Sequence, residues 1–387
     1  MAATYGIRVV HRGRGADVAS LRQAVAQELE SIGLHRSVSV AVADSDLPQG
    51  IPHICVCLCD TGSKSDSSVR EGIREELESG TTIFPVVEDL ALFSQLVPEQ
   101  LTFANGIAWQ DDASLQRLVR VLLEELGIEE QQRRVFISHR RTDGLGVAEQ
   151  LHGHLSHFKF QPFIDRFAIR EGTDFQQEIG RALEDHAFLL LLETFDAHSS
   201  DWVFDEVDYA LSHAMGILIV RWPGDVREVP GSGGLPRHFL GDDEVTTDYH
   251  GYSILTDAGL DRLLEAIESA HARGLVRRRR LLLESVREAA VAAGVDSCVS
   301  LRDWKLLIGT PAGLSVVGTS PRLPTAVDLQ AVDETSVQAN ADLPGVLVHS
   351  ARALPTELRR HLEWVSHTRS MRVIPENAVG GWWIDGH

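Results

Sequence analysis

A short phrase that recurs late in the chain constrains the fold most. Asp112-Ala113-Ser114-Leu115-Gln116-Arg117-Leu118-Val119 returns as Asp257-Ala258-Gly259-Leu260-Asp261-Arg262-Leu263-Leu264. Each copy closes a stretch in which short apolar runs alternate with helix-period segments. Strand candidates in the first stretch are Ile7 to Val10, Val38 to Val42, His53 to Leu58, Thr82 to Val87 and Ile107 to Trp109, with helices such as Val18 to Ser31 and Leu115 to Leu126 among them. The second stretch offers Val135 to Ser138, Gln161 to Ile164, Phe188 to Leu192, Ile217 to Arg221 and Ser253 to Leu255. Strands that alternate with helices are joined by crossovers, which make neighbouring strands parallel. The pattern predicts an α/β protein with flavodoxin-like, doubly wound parallel sheets in tandem, produced by internal duplication.

Smaller echoes support the duplication. His11-Arg12 follows the first strand as His139-Arg140 follows its counterpart, and Ser65-Asp66 precedes Glu71 as Ser200-Asp201 precedes Glu206. The halves differ after their second strands. Phe163-Ile164-Asp165 leads into a long loop, Arg166 to Asp174, and then a helix beginning near Phe175; in the first half only Asp44 to Ile51 separates two strands. So short a segment cannot hold both a wrapping loop and a helix, and the first half reads as a structural copy.

The chain has 387 residues, too many for one ordinary core. The expected units are 1–129, 132–275 and 281–387, the last a small α/β domain. That third region opens with a helix, Leu281 to Ala293, and continues through strands Trp304 to Ile308, Leu314 to Val317, Val346 to Val348 and Met371 to Ile374, with a helix over Pro355 to Val365. Gly309 to Gly313 reads as a hairpin turn as readily as a ligand loop. The basic run Arg277 to Arg280, with Arg273 before it, reads as a solvated helix face or an interdomain linker.

Charge and patterning exclude several functions. A formal net charge of −20 opposes a polyanionic partner, so no nucleic acid is expected. No N-terminal stretch has the zones of a signal peptide and no apolar run approaches a membrane span, so the chain reads as cytoplasmic with no membrane partner. Cys55, Cys57 and Cys59 alternate along a strand candidate, which points three thiols to one face as buried structural groups. Asp242-Asp243-Glu244 reads as a solvated loop, and no metal is expected.

The stretch Val135-Phe136-Ile137-Ser138-His139-Arg140-Arg141 is an apolar run ending abruptly in polar and cationic groups. A buried parallel strand delivers side chains in this way to the carboxyl edge of a sheet, where open α/β folds bind ligands. Further on, Trp202 and Glu206 stand at i and i+4, on one face of a helix. An aromatic plate, a carboxylate and two guanidinium groups suit a dinucleotide. Ser138-His139 is no hydrolytic dyad, because neighbours on a strand point to opposite faces.

These residues resemble a Toll/interleukin-1 receptor (TIR) domain, in particular the NAD-cleaving TIR domains. Phe136-Ile137-Ser138-His139-Arg140-Arg141 is similar to the family's first box, and Phe163-Ile164-Asp165 through Arg170-Glu171-Gly172-Thr173-Asp174-Phe175 is similar to the second strand and BB loop. Ser200-Asp201-Trp202-Val203-Phe204-Asp205-Glu206 resembles the helix that carries the catalytic glutamate in enzymatic members, with Val203 where many have cysteine. Residues 1–129 resemble a degenerate TIR domain, chiefly through Leu101 to Trp109. The resemblance implies an NAD+ glycohydrolase or cyclase in bacterial immune signalling, with NAD+ as substrate, no cofactor, and activation by self-association. It implies Glu206 as the catalytic residue, and Trp202, Ser138, Arg140, Arg141, Asp165 and Gly172 as substrate-binding residues. The alternative it leaves open is a non-enzymatic TIR scaffold.

Overall fold

The computed structural model describes the chain apart from residues 1–4, 32–33, 36–37, 49–50, 103, 105, 129–132, 159, 165–181, 296, 302–303, 311–312, 351–353, 370 and 385–387. Its first sheet contains β1 (Tyr5–His11), β2 (Val40–Ala43), β3 (His53–Leu58), β4 (Ile83–Val87) and β5 (Ile107–Ala108) in the order β2-β1-β3-β4-β5. Every pairing in it is parallel. The helices are α1 (Gly15–Ser31), α2 (Ser67–Glu78), the short α3 (Phe93–Leu96) and α4 (Asp112–Glu125). Strand β3 is covered on both faces, which is why its sequence is a continuous apolar run. Ile54, Val56 and Leu58 enter the core with α1 and α4, whereas Cys55, Cys57 and Cys59 pack with Val69 and Ile73 of α2. The three thiols share one face, as their alternation predicts.

A second sheet repeats this order. It contains β6 (Arg134–Ser138), β7 (Gln161–Ile164), β8 (Phe188–Glu193), β9 (Gly216–Arg221) and β10 (Arg237–Phe239), arranged β7-β6-β8-β9-β10 with all pairings parallel. Helix α5 (Arg141–His157) follows β6, and α6 (Asp201–Ser212) follows β8. One expectation is corrected here. Ser253–Leu255 is a strand, β12, yet it is not the sheet's fifth; it pairs antiparallel with β11 (Val245–Thr247) in a separate ribbon. The Gln150 side chain of α5 fastens that ribbon by bonds of 2.8 Å to both the N–H and the carbonyl of Leu255. The fifth slot goes to β10, whose three residues are too few for a period-two signal.

The last helix, α7 (Asp257–Ala292), is 36 residues long. At 1.5 Å per residue it spans about 54 Å. Its Ile267 and Ala270 enter the core of the second sheet, Ala272 that of the first, and Leu282 and Val286 that of the third. The separate helix expected from Leu281 is therefore the second half of α7. The reading of Arg277 to Arg280 as a solvated face or linker also fails for two of its four residues. Arg278 and Arg279 are 5% and 7% exposed, whereas Arg277 and Arg280 face solvent. Helical spacing puts Arg278 on the same side as Leu282 and Arg279 on the same side as Val286. Glu376 meets Arg278 at 2.6 Å, and the Arg279 guanidinium lies over the Trp304 ring.

Helix α7 can approach β9 closely because two glycines face each other. A Cβ on Gly216 would lie 2.9 Å from the Gly274 Cα, and one on Gly274 would lie 2.7 Å from the Gly216 Cα. Deeper along the same contact, Arg133 and Glu268 form a fully buried ion pair, with Arg133 also over the Phe160 ring at 4.0 Å.

The third sheet is mixed. Strands β13 (Ser297–Leu301), β14 (Lys305–Thr310) and β15 (Gly313–Ser320) form an antiparallel meander, and β16 (Gly345–His349) and β17 (Met371–Pro375) add to it in parallel. The parallel steps cross over through α8 (Ala326–Gln338) and α9 (Thr356–Arg369), and α10 (Val379–Ile384) ends the described chain. Gly309 and Thr310 end β14 and pair antiparallel with Leu314 and Gly313 of β15, whereas 311–312 lie outside the described residues. No helix among the described residues is long and apolar enough to cross a membrane.

Candidate functional site

Strand order in the second sheet reverses between β6 and β8. Their crossovers leave in opposite directions at this point, and open α/β sheets bind ligands in the crevice between them. β6 delivers Ser138 to the edge; Arg140 is the N-cap of α5, and Arg141 is its first residue. β8 runs through the Ala197–Ser199 turn into α6, which carries Trp202 and Glu206. Sequence-expected residues thus follow the two neighbouring strands β6 and β8. Asp165 and Gly172 lie outside the described residues.

The two loops are fastened to each other. The Asp143 carboxylate accepts the Asp196 N–H at 2.9 Å, and Arg140 donates to the Asp196 carbonyl at 3.0 Å and to the Ser199 hydroxyl. Arg140 also donates to the Thr142 hydroxyl at 3.0 Å. Its guanidinium is already engaged by protein, whereas Arg141 is exposed.

Helix α6 starts at Ser200, whose hydroxyl accepts the Val203 N–H, the usual way for serine to satisfy a free first-turn donor. Its buried residues are Val203, Glu206, Val207 and Ala210. Trp202 is 50% exposed, but Glu206, one turn later, is 6% exposed. The carboxylate therefore belongs to the row that packs on the sheet, beside a cluster containing Phe136, Leu189, Leu191, Val203 and Val207.

Helix α2 of the first sheet provides a control. Asp66 caps it, and its buried row is Val69, Gly72, Ile73 and Glu76. Matching caps and buried rows puts Val203 on Val69, Val207 on Ile73, and Glu206 on Gly72. The letter match that set Glu206 against Glu71 is therefore out by one position. Glu71 has a 56% exposed side chain paired with Arg74, and a Cβ on Gly72 would lie 3.1 Å from Val10. The first unit has neither a carboxylate nor the room for one at this position.

Two hydroxyls mark the same edge. Ser138 ends β6 and Thr194 follows β8; they are 0% and 1% exposed, and neither side-chain oxygen has a hydrogen-bond partner among the described residues.

Sequence reasoning missed Glu193, the fully buried last residue of β8. It takes bonds from Arg221 at 2.9 Å, from Arg237 at 3.3 Å and from the Val229 N–H at 3.0 Å. Glu193 and Arg221 stand in register at the ends of neighbouring apolar strands. Opposite charges closing two such strands were the available signal. This cluster anchors the segment between β9 and β10 at the carboxyl edge.

No group of three or more His, Cys, Asp or Glu able to hold a metal occurs among the described residues. A cavity of about 440 Å³ exists elsewhere, between the end of α6 and the third sheet, and Glu206 is not among its lining residues.

Residues 135–264 match the family model of the TIR domain. No curated protein matches the chain. One solved structure, described as a response regulator/GGDEF-domain protein of a two-component system, is 13% identical, with 69% of this chain and 98% of that one covered and a TM-score of 0.25. A score that low carries no argument.

Proposed function

We propose that the second unit cleaves NAD+ at the bond between ribose and nicotinamide, with Glu206 as the catalytic carboxylate. One observation carries this reading: Glu206 is withdrawn from water in a row of α6 that otherwise holds valine and alanine, at the point where strand order reverses. Packing alone would take a small apolar group there, as Gly72 does in α2. A carboxylate kept at such a position is a functional candidate. The TIR match over residues 135–264 is compatible with this reading, as it is with a scaffold.

The chemistry needs little else. As the C1′–N bond breaks, its electron pair leaves with nicotinamide, and positive charge develops on the ribose. A carboxylate in a poorly solvated site stabilises that oxocarbenium-like state. The leaving group is already a cationic pyridinium and departs neutral, so no general acid is required. Water then adds to C1′ and releases a proton, or an adenine nitrogen adds and closes a ring. In this reading Trp202 stacks on nicotinamide or closes the pocket. Ser138 bonds the substrate with its buried hydroxyl, and Arg141 meets phosphate. Arg140 binds mainly by holding the two loops together. Asp165 and Gly172, with the BB loop, would complete the site, with the first unit as a degenerate copy or built-in neighbour.

A scaffold reading has its own support. Phe195, Trp202 and Phe204 are 53%, 50% and 43% exposed around the start of α6, and exposed aromatics mark contact surfaces. Incubating the full chain with NAD+, alone and under crowding that forces assembly, separates the two. The enzymatic reading expects free nicotinamide with ADP-ribose or a cyclised isomer; intact NAD+ under both conditions leaves the scaffold.

A further inference from the structure

We propose that the cavity between the third sheet and the C-terminal end of α6 binds a small organic cation with two or more ammonium groups. Its volume of about 440 Å³ suits a small molecule, since such sites span roughly 300–1,000 Å³. It opens at the carboxyl ends of parallel strands, where α/β sheets take ligands. Ser350 follows β16 directly, and Pro375 ends β17 with Glu376 and Asn377 just beyond.

The lining sets the charge of the occupant. Among the described lining residues Arg278 is the one guanidinium, and Glu376 takes it at 2.6 Å and accepts a further bond from the Ser285 hydroxyl at 3.0 Å. That leaves Glu284 and Glu288, solvent-facing and one turn apart on α7. Among the described lining residues the carboxylates outnumber the guanidinium three to one. Ser212 to Ala214, also in the lining, lie at the C-terminal end of α6, the negative pole of a helix dipole. Two independent sources of negative potential face the same space, which disfavours phosphorylated ligands. Carboxylates at i and i+4 match ammonium groups separated by a short alkyl chain.

The same lining reaches the Glu206 helix. His213 lines the cavity and stacks on Tyr209 at 3.9 Å, so an occupant braces the end of α6. Any consequence for catalysis rests on the NAD+-cleaving reading, but binding does not.

Titration calorimetry of the full chain with 1,4-diaminobutane and with its triamine homologue tests the site. Saturable binding is expected, weakened at least about tenfold in the Glu284→Gln/Glu288→Gln double variant, as loss of two charge-assisted contacts implies. Both side chains face solvent, so the variant should melt as the parent does. Absence of binding heat, equal affinity in the variant, or displacement by magnesium chloride at matched charge would overturn the proposal. Amide exchange over residues 201–214 should slow when diamine is bound; unchanged exchange there overturns the link to α6. Neither measurement reads NAD+ turnover, so failure of the catalytic reading is scored separately.

Discussion

Individual residues show where packing has set the terms and where it has yielded. Gly216 and Gly274 exist as glycines because strand and helix backbones meet there, with less than 3 Å left for a Cβ on either side. Gly216→Ala should force β9 and α7 apart and cost about 1–3 kcal/mol, as overpacking does, read from the urea midpoint of the full chain; an unshifted midpoint would show that the contact is loose. Glu206 is the opposite case, a buried carboxylate where a smaller apolar group would pack. Its removal is therefore expected to affect chemistry far more than stability.

At the scale of elements, the carboxyl edge of the second sheet depends on Glu193. Glu193→Gln removes the buried counter-charge of Arg221 and Arg237 and leaves them the exposed Glu228 at 3.9 and 3.7 Å, and breaking a buried charge cluster costs up to about 3–5 kcal/mol. Amide exchange should speed up over residues 222–237 first, and uniform protection there would contradict the anchoring role. The strands of both parallel sheets other than β10 were legible, most of them as short apolar runs; His53–Leu58 and Gln161–Ile164 fall at the expected residues. β10 was not, since three residues held by an arginine leave no periodic trace. Ser253–Leu255 looks locally like a sheet strand, and only its pairing shows otherwise. The continuity of α7 was hidden because four consecutive arginines resemble a solvated linker until helical spacing separates the buried pair from the exposed one. In the candidate site, the placement of Ser138 at the end of β6 and of Trp202 and Glu206 on one helix was readable. The register of α2 was not, because letters aligned Glu71 where caps and burial align Gly72.

For the whole molecule, α7 links three cores, and partly buried histidines tune the second sheet to pH. Burial holds the imidazoles of His154, His186 and His238 below their ordinary value of 6.5. An unfolded chain therefore takes up these protons first as pH falls. Their contribution is fully present above pH 6.5 and is lost on descending towards the lower folded values. The melting temperature should drop between about pH 7.5 and 5.5, and drop less in His186→Phe, whose ring would stay beside Phe136 and Phe163. A flat profile would contradict the assignment. Glu76 does not confound that window. Burial alone would raise its carboxyl, but bonds from His53 and Thr81, the charge of His53 and the Arg8 bond outweigh it. Its contribution holds above the ordinary carboxylate value and fades only as pH falls through the depressed one. The central claim concerns one carboxylate, and nicotinamide release from NAD+ by Glu206→Gln tests it most directly. The account predicts an unchanged melting curve to within about 1 kcal/mol and a loss of at least about a hundredfold in release; a folded variant that releases nicotinamide at the parent rate would contradict it.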